Sequence, residues 1–407
     1  MTFPQFIRQN ARWLIAGGLL TLMSSFGQTF FISVFSGVIR QEFSLTHGAW
    51  GAIYSLGTLA SAIVMVGAGT LTDRFRVRSL GAVCLGGLAA ASLAMAAIPT
   101  VWVLPFVIFA LRLSGQGMIS HIAVVSMARW FVETRGRALA IASLGFAMGE
   151  SLLPITFVAL LTVMSWRSLW LIAALFVLLS IPLLMHLLKS ERTPKSVAED
   201  SHAYGMSERH WLRREVLNDR LFWYMVPTLL GTSTFVTAFF FQQVHLAETK
   251  GWSHASLVAL FPVLTAVSIV ATLVSGWAVD RFGTARISPV YQLPMVVGFV
   301  VLSFAQTLFG ATLAIIFMSF TIGAGSTVPG AFWAEFYGTR HLGSIKAMIA
   351  AIMVLGSAIG PGLTGLLIDY GIIFEDQMIG IALYFVFASG MAWLGIRQAK
   401  HLLPAAS

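Results

Sequence analysis

Long apolar stretches, each about as long as a membrane-spanning helix, alternate with short polar segments along the whole chain. A helix that crosses a bilayer needs about 20 predominantly apolar residues, and twelve stretches of roughly that length are present. They begin near Trp13, Gly48, Leu80, Val103, Leu139, Ser168, Leu221, Ser256, Ile287, Ala311, Ile345 and Met378. Because the bilayer core offers no water to pair backbone polar groups, we predict that each stretch is a helix.

The connections between these spans are short, with one exception. Residues 189–220 carry thirteen charged side chains and separate the first six spans from the last six. The pattern therefore predicts an all-α membrane protein with twelve transmembrane helices in two six-helix bundles. The predicted divisions are an N-terminal bundle (1–188), a cytoplasmic linker (189–220) and a C-terminal bundle (221–407).

Composition and charge agree with a membrane protein and exclude several other classes. Hydrophobic residues make up 57% of the 407 residues and charged residues only 10%, against about 25% in a typical soluble domain. A soluble fold of this size cannot hide so much apolar side chain, which excludes a soluble enzyme, a nucleic-acid-binding protein and a disordered scaffold. We therefore expect no enzymatic activity and no nucleic-acid partner.

The distribution of Lys and Arg predicts the orientation in the membrane. Of the 25 basic residues, Arg40, Arg167 and Lys250 fall on one side and Arg112 lies inside a span, which leaves 21 on the other side. Basic residues accumulate in cytoplasmic loops. We therefore expect both termini in the cytoplasm and the protein in the cytoplasmic (inner) membrane, and the net charge of +9 needs no polyanionic partner.

The two halves repeat one another. Thr46-His47 recurs as Ser253-His254, and Asp73-Arg74-Phe75 recurs as Asp280-Arg281-Phe282, in both cases 207 residues later. Two unrelated landmarks at one offset indicate two structural repeats. Secondary transporters are commonly built from such repeats, with the substrate site near the bilayer midplane.

These residues also carry a family resemblance. The loop 69–78 reads GTLTDRFRVR and the loop 276–283 reads GWAVDRFG; both resemble the loop signature of the major facilitator superfamily, after helices 2 and 8. Arg112 with Gly115 and Gly117 resembles the helix 4 motif of that superfamily. The stretch 356–365, GSAIGPGLTG, resembles its glycine–proline motif, which is usual in helix 5 and lies here in helix 11.

The first span adds a similarity at the level of a branch within the superfamily. The stretch 26–31, FGQTFF, followed by Glu42-Phe43, is similar to monocarboxylate and oxalate/formate porters. The resemblance implies alternating access, a small-molecule substrate, a monomer in the lipid bilayer and no cofactor.

The repeated acid–arginine loops are candidates for gating. Asp73 with Arg74 and Asp280 with Arg281 follow the second and eighth spans. A carboxylate at such a place accepts charge-assisted hydrogen bonds from an arginine or a helix N-terminus. We expect these contacts to form and break as the two bundles alternate. The alternative is a static, solvated loop that only sets topology.

Two ionisable residues, Arg112 and Glu150, are predicted near the middle of the membrane. Arg112 lies about ten residues, or about 15 Å, into the fourth span, and Glu150 about eleven residues into the fifth. A lone charge there costs at least about 2.5–3.5 kcal/mol. At the matching positions the second half has Pro361 and the stretch 320–322, FTI, which contains no arginine, so the scaffold does not require either charge. We predict that the pair binds substrate and couples a proton; a purely structural salt bridge is the alternative.

Polar side chains within the spans predict the walls of a cavity. The candidates for its lining are Gln28, Thr29, Tyr54, Gln116 and Gln242. Back-bonding of hydroxyls to their own helix and helix–helix packing are the alternatives for Ser and Thr. No metal-ligand or nucleotide-binding motif is present.

The predicted function is therefore a secondary transporter, most simply a proton-coupled importer of a small organic, anionic solute. If a cation displaces the proton at the same pair, the protein is instead a proton-antiport exporter of drugs or metabolites. A non-transporting membrane receptor or scaffold is the alternative from another class.

Overall fold

The computed structural model describes residues 3–131, 134–190 and 204–403, and throughout these ranges the chain is helical with no β-strand. The side chains of Phe3, Pro4, Asp73 and Arg135 lie outside this description. The chain divides into two compact units, residues 1–199 and 200–407.

The first unit contains six membrane-length segments, which we number as spans in chain order. Span 1 is bent and consists of Phe3–Ser24, Thr29–Ile32 and Ser36–Glu42. Spans 2 to 6 are His47–Ala68, Val77–Ala96, Val101–Trp130, Arg135–Leu161 and Trp166–Leu187. Each corresponds to one apolar stretch in the sequence.

The second unit also contains six segments. Spans 7 to 12 are Arg220–Phe241, His254–Phe282, Leu293–Phe304, Leu308–Tyr337, Leu342–Asp369 and Phe374–Leu402. Ten helices of the described residues are long and apolar enough to cross a membrane, and the bent span 1 makes an eleventh. Span 9 is shorter and follows the separate helical turn Thr284–Ile287. The predicted all-α class is confirmed.

The repeated Thr-His and Ser-His landmarks of the sequence are helix N-caps. The Thr46 hydroxyl accepts a hydrogen bond from the Ala49 backbone N–H at 3.1 Å, and span 2 begins one residue after it. Ser253 accepts the bond from Ser256 N–H at 3.0 Å at the start of span 8. Hydroxyl side chains are preferred at this position because they pair one of the free N–H groups of the first turn.

The same helix pairs form in each unit. Span 1 packs on span 5, span 2 on span 4, and span 3 on span 6; in the second unit the pairs are 7 with 11, 8 with 10, and 9 with 12. Glycines allow span 5 to pack closely on span 1, and span 11 on span 7. Gly145 and Gly149 face span 1 with no room for a Cβ, and Gly356 and Gly360 face span 7 in the same way. Small residues commonly mediate such close packing in membranes.

Span 9 is short because its helix is interrupted before Leu293. A side chain of the neighbouring span 10 forms hydrogen bonds with the backbone groups that the interruption leaves without helical partners. The Thr321 hydroxyl of span 10 donates to the Tyr291 carbonyl at 3.2 Å and accepts from the Met295 N–H at 3.1 Å. The Gln292 amide donates to the Thr228 carbonyl of span 7 at 2.7 Å. Non-helical backbone at membrane depth requires such partners because lipid offers none.

The second part of the predicted linker is ordered against the second unit. Met206 is buried, and the Trp211 N–H donates to the Tyr337 carbonyl at 3.3 Å. The Tyr337 hydroxyl donates to the Asp219 carboxylate at 2.6 Å. Residues 204–219 therefore belong to the packing at the end of span 10; residues 191–203 of the linker lie outside the described residues.

Candidate functional site

The candidate site is centred on the break in span 1. The helix leaves α-geometry at Ser25–Gly27, Gln28 is extended with φ −88° and ψ 155°, and helix resumes at Thr29. The two parts of the span meet at an angle of 47°. The break frees backbone groups from regular helical bonding, and broken helices of this kind form ion and substrate sites in transporters.

Span 4 meets this break through a π-helical turn. Residues Arg112–Ile119 have the wider π-helical geometry, which occurs often at functional sites. Gly115 and Gly27 form the contact, since a Cβ on Gly115 would lie 2.7 Å from Cα of Gly27. Only glycine on both sides allows the two backbones to approach so closely.

Arg112 bridges the two sides of the break. Its side chain is buried, with 1% of its surface exposed, and Nη1 lies 3.2 Å from the Gly27 carbonyl and 3.4 Å from the Thr29 hydroxyl. The Thr29 and Tyr54 hydroxyl oxygens are 2.6 Å apart. The guanidinium carbon lies 5.4 Å from the centre of the Tyr54 ring, within cation–π range. The structure thus brings three predicted site residues together: Thr29, Tyr54 and Arg112.

Glu150 approaches the same break from span 5. It follows Gly149, and a Cβ on Gly149 would lie 2.6 Å from Cβ of Ser25, the first residue of the break. Glu150 is half-buried and lies near the middle of the 27-residue helix Arg135–Leu161. The two intramembrane charges therefore belong to helices that contact one short, non-helical piece of backbone.

Two predicted lining residues at the break have side-chain amides that are available to bind a ligand. Gln28 lies in the break, and Gln116 lies in the π-helical turn with its backbone nitrogen next to Gly27. Neither side-chain amide makes a hydrogen bond to another residue in the described part of the chain. Gln28 is 9% exposed and Gln116 is half-buried. These amides offer hydrogen-bond donors and acceptors that suit a polar ligand.

The fifth predicted lining residue, Gln242, lies in the second unit. Its amide donates to the Thr364 hydroxyl of span 11 at 3.0 Å, and the Gln377 amide donates to the Thr364 carbonyl at 3.1 Å. Gln242 is buried at the end of span 7. In this structure its amide links two helices of one bundle.

The four predicted gating residues are at the loop ends of spans 2 and 8. Arg74, Asp280 and Arg281 are exposed, and the side chain of Asp73 lies outside the description. Their gating role stays a prediction.

Sequence reasoning missed two side chains that hold these loops. Arg129 of span 4 donates to the Thr72 carbonyl at 2.6 Å, and the Glu335 carboxylate of span 10 accepts from the Thr284 hydroxyl at 2.7 Å. Arg129 follows the first Asp-Arg loop, and Glu335 follows the second, at nearly the same distance along the chain. This shared spacing is a signal present in the sequence.

The fold and the loop signatures agree with the comparison to known families. The model of the Major Facilitator Superfamily matches residues 17–361 and 231–405. The chain belongs to the Major Facilitator Superfamily. This major facilitator protein is similar to a gentisate transporter of Corynebacterium glutamicum, with 22% identity over 347 residues, which cover 82% of this chain and 76% of the relative.

Solved structures show the same fold at low sequence identity. A bacterial homologue of the human lysosomal transporter Spinster, in an inward-facing and unoccupied conformation, superposes with a TM-score of 0.72 at 15% identity. That match covers 98% of this chain and 99% of the other. The nucleoside transporter NupG matches with a TM-score of 0.69 at 13% identity, over 96% of this chain and 99% of the other. The major facilitator fold predicted from the loop motifs is confirmed.

Proposed function

We propose that this major facilitator protein imports a small organic anion together with a proton, and that Arg112 binds the anion while Glu150 carries the proton. The observation that carries the proposal is the arrangement of both charges around the break in span 1. The protein would act as a monomer in the inner membrane, with both termini in the cytoplasm.

The contacts of Arg112 support a role in anion binding. The distances from Nη1 to Gly27 and Thr29, 3.2 and 3.4 Å, are long for an N–H···O bond. A substrate carboxylate would accept shorter, charge-assisted bonds of about 2.7–2.9 Å from the same group. A carboxylate would therefore compete with the span 1 backbone for Arg112, and binding would loosen the break.

This competition would change how readily Glu150 takes up a proton, because the helices that carry Arg112 and Glu150 both contact span 1. A carboxyl group in a low-dielectric site takes up a proton more readily when a nearby cation is neutralised by another anion. A substrate on Arg112 therefore favours protonation of Glu150, which links substrate and proton uptake as symport requires. The reverse order, in which the proton leaves as a cation binds, would give antiport.

The relative supports an aromatic carboxylate as the first substrate to test. Gentisate is a dihydroxybenzoate, so it offers one carboxylate for Arg112 and hydroxyl groups for the amides of Gln28 and Gln116. The Tyr54 ring beside Arg112 adds an aromatic surface, which favours a flat ring.

Uptake by proteoliposomes under a pH gradient of either sign tests the proposal. Labelled gentisate, benzoate, an aliphatic monocarboxylate and a neutral nucleoside should be compared, with empty liposomes as the control. We expect accumulation of a carboxylate when the outside is acidic. Accumulation only when the proteoliposome lumen is acidic would establish proton antiport, as expected of an exporter, and no flux of any compound would favour the receptor alternative.

A further inference from the structure

A cavity of about 780 Å³, lined by both charged and apolar side chains, opens at one end of the second unit. It lies where span 8 ends, the turn before span 9 begins, and spans 10 and 12 end. Its walls include Arg286, Glu335, Arg397 and Lys400, with Phe282 and Trp393. None of these residues has a role in the proposed transport site.

The side chains that line this cavity carry a net positive charge. Three of the lining side chains are cations and one is an acid. The Glu335 carboxylate is engaged by the Thr284 hydroxyl at 2.7 Å and the Thr284 N–H at 3.3 Å. Within the described ranges, none of the three cations forms an ion pair with a carboxylate. A concave site with clustered cations attracts anions, and planar guanidinium groups favour phosphate oxygens.

The rim of the cavity is apolar and faces away from the protein. Phe282, Val290 and Trp393 line it, and between 45% and 49% of each side chain is exposed. The Arg397 guanidinium lies 5.3 Å from the Trp393 ring. Trp393 lies one turn before Arg397 on span 12, and Trp is enriched near the membrane–water interface. The ligand that fits both surfaces therefore has an anionic head and an apolar body.

The first half of the chain carries basic residues at the three matching positions. Arg78, Lys189 and Arg192 precede Arg286, Arg397 and Lys400 by 208 residues each; Arg192 lies outside the described residues. A topology signal requires only that basic residues lie on one side of the membrane. The recurrence of a basic residue at all three positions indicates that positive charge is required at these particular sites.

We propose that this cavity binds the phosphate headgroup of an anionic phospholipid. The three cations hold the phosphate, and the acyl chains lie along Phe282, Val290 and Trp393. Basic pockets between membrane helices on the cytoplasmic side are suited to such headgroups, and the orientation proposed above puts this cavity in the cytoplasmic leaflet. The site is independent of Arg112 and Glu150, so its test does not depend on transport.

Native mass spectrometry of the delipidated, full-length protein measures this binding directly. The protein is titrated with phosphatidylglycerol and, separately, with phosphatidylcholine. The test variant is Arg286→Gln/Arg397→Gln/Lys400→Gln. The matched control is Arg213→Gln/Arg214→Gln/Arg340→Gln, three exposed basic residues of the same unit that do not line the cavity.

We expect phosphatidylglycerol to bind more tightly than phosphatidylcholine. Each cation near an anionic lipid surface contributes roughly a fivefold change in affinity, so the test variant should bind phosphatidylglycerol roughly a hundredfold more weakly. The control should bind within about twofold of wild type, because its cations lie outside the cavity. If the triple test variant does not fold, Arg397→Gln alone should still show its roughly fivefold loss.

Three results would overturn the proposal. Equal weakening in both triple variants would mean non-specific attraction. Displacement of the lipid by millimolar inorganic phosphate would identify a soluble phosphate as the ligand. Wild-type affinity for phosphatidylglycerol in the triple test variant would mean that the lipid binds elsewhere.

Discussion

Lys250 and Glu375 form an ion pair, with Nζ 2.6 Å from Oε1, in which only the cation is fully buried: 1% of the Lys250 side chain is exposed, against 20% for Glu375. Lys250 Nζ also donates to the Ser303 carbonyl at 2.6 Å. The three residues join the end of the short helix Gln243–Thr249, which follows span 7, to the end of span 9 and the start of span 12.

The first unit contains the same three-way contact with the charges exchanged. Glu42 and Arg167 pair at 2.5 Å, and Arg167 Nη1 donates to the Ala96 carbonyl at 2.9 Å. Glu42 and Lys250 are 208 residues apart, as are Arg167 and Glu375, and Ala96 and Ser303 are 207 apart. In both units the cation is the member that binds the carbonyl, because only it can donate a hydrogen bond.

The unequal burial of Lys250 and Glu375 predicts unequal effects of substitution. Glu375→Ala leaves a fully buried ammonium without its partner and should lower the free energy of unfolding by about 3–5 kcal/mol. Lys250→Ala leaves a carboxylate that keeps some contact with water, so about 1.5–3 kcal/mol is expected. Denaturant titration in detergent measures both. Equal losses would contradict the assigned burial.

The exposed pair in the first unit is the matched control. The Arg167 and Glu42 side chains are 32% and 40% exposed. Exposed pairs contribute about 0–1 kcal/mol, so Glu42→Ala should be nearly neutral. The exchanged pair Lys250→Glu/Glu375→Lys should not restore stability, because it directs a carboxylate at the Ser303 carbonyl. Full recovery would mean that this carbonyl contact is unimportant.

Glu150→Gln should separate exchange from accumulation. Glutamine resembles the protonated acid, so the variant should still bind substrate and exchange it by counterflow, yet lose accumulation driven by a pH gradient. Uptake and counterflow in proteoliposomes with matched protein content measure the two activities. Retention of pH-driven accumulation would assign the coupled proton to another group.

Substitutions of Arg112 test the other member of the pair. Arg112→Lys keeps the charge but loses the planar fork, so substrate affinity should fall. Arg112→Ala should abolish binding. The double variant Arg112→Ala/Glu150→Gln should be more stable than Arg112→Ala, because it no longer leaves the half-buried Glu150 carboxylate within a span without the positive charge of Arg112, but it should not transport. Recovery of pH-driven uptake in the double variant would show that the pair is only a structural link.

The glutamine amides should have different roles in the two units. Gln28→Ala and Gln116→Ala should raise the substrate KM with little change in melting temperature, because neither amide is hydrogen-bonded within the described residues. Gln242→Ala should instead lower stability by about 0.5–1.5 kcal/mol through loss of the bond to Thr364. Transport kinetics and thermal melting on the three variants distinguish these outcomes. An unchanged KM in both first-unit variants would exclude their amides from the substrate site.

The acid–arginine loops should control the rate of conformational exchange. Asp73→Asn and Asp280→Asn should slow counterflow without loss of folded protein. Asp376→Asn is the control, since Asp376 is an exposed carboxylate at the other end of a span. Wild-type rates in both loop variants, at equal membrane abundance, would leave the loops with a topological role only.

Cysteine labelling tests the predicted orientation. In a Cys84→Ser background, Ala203→Cys in the linker should react with an impermeant maleimide only after permeabilisation. Gln306→Cys, between spans 9 and 10 and exposed, should react in intact cells. The opposite pattern would invert the orientation.

The sequence by itself determined the features that depend on local composition. Apolar runs of bilayer length located ten membrane-length helices of the described residues and the bent span 1, because burial in lipid requires an apolar side chain at nearly every position. The fixed offset of 207 residues revealed the repeat, and the N-caps Thr46 and Ser253 explain why those positions keep a hydroxyl. Arg112 and Glu150 were found because an ionisable residue within a span is conspicuous.

Only the tertiary structure decided how these residues are arranged. The break at Ser25–Gln28 left no mark in the hydropathy pattern, because serine, phenylalanine, glycine and glutamine also occur in unbroken spans. The partner of Arg112, the Gly27 carbonyl, is 85 residues away in the chain, and the three cations of the cavity come from two segments more than 100 residues apart. Hydrogen bonds and cavities depend on which helices pack together, and that depends on the fit of side chains such as Gly27 and Gly115, which no local pattern records.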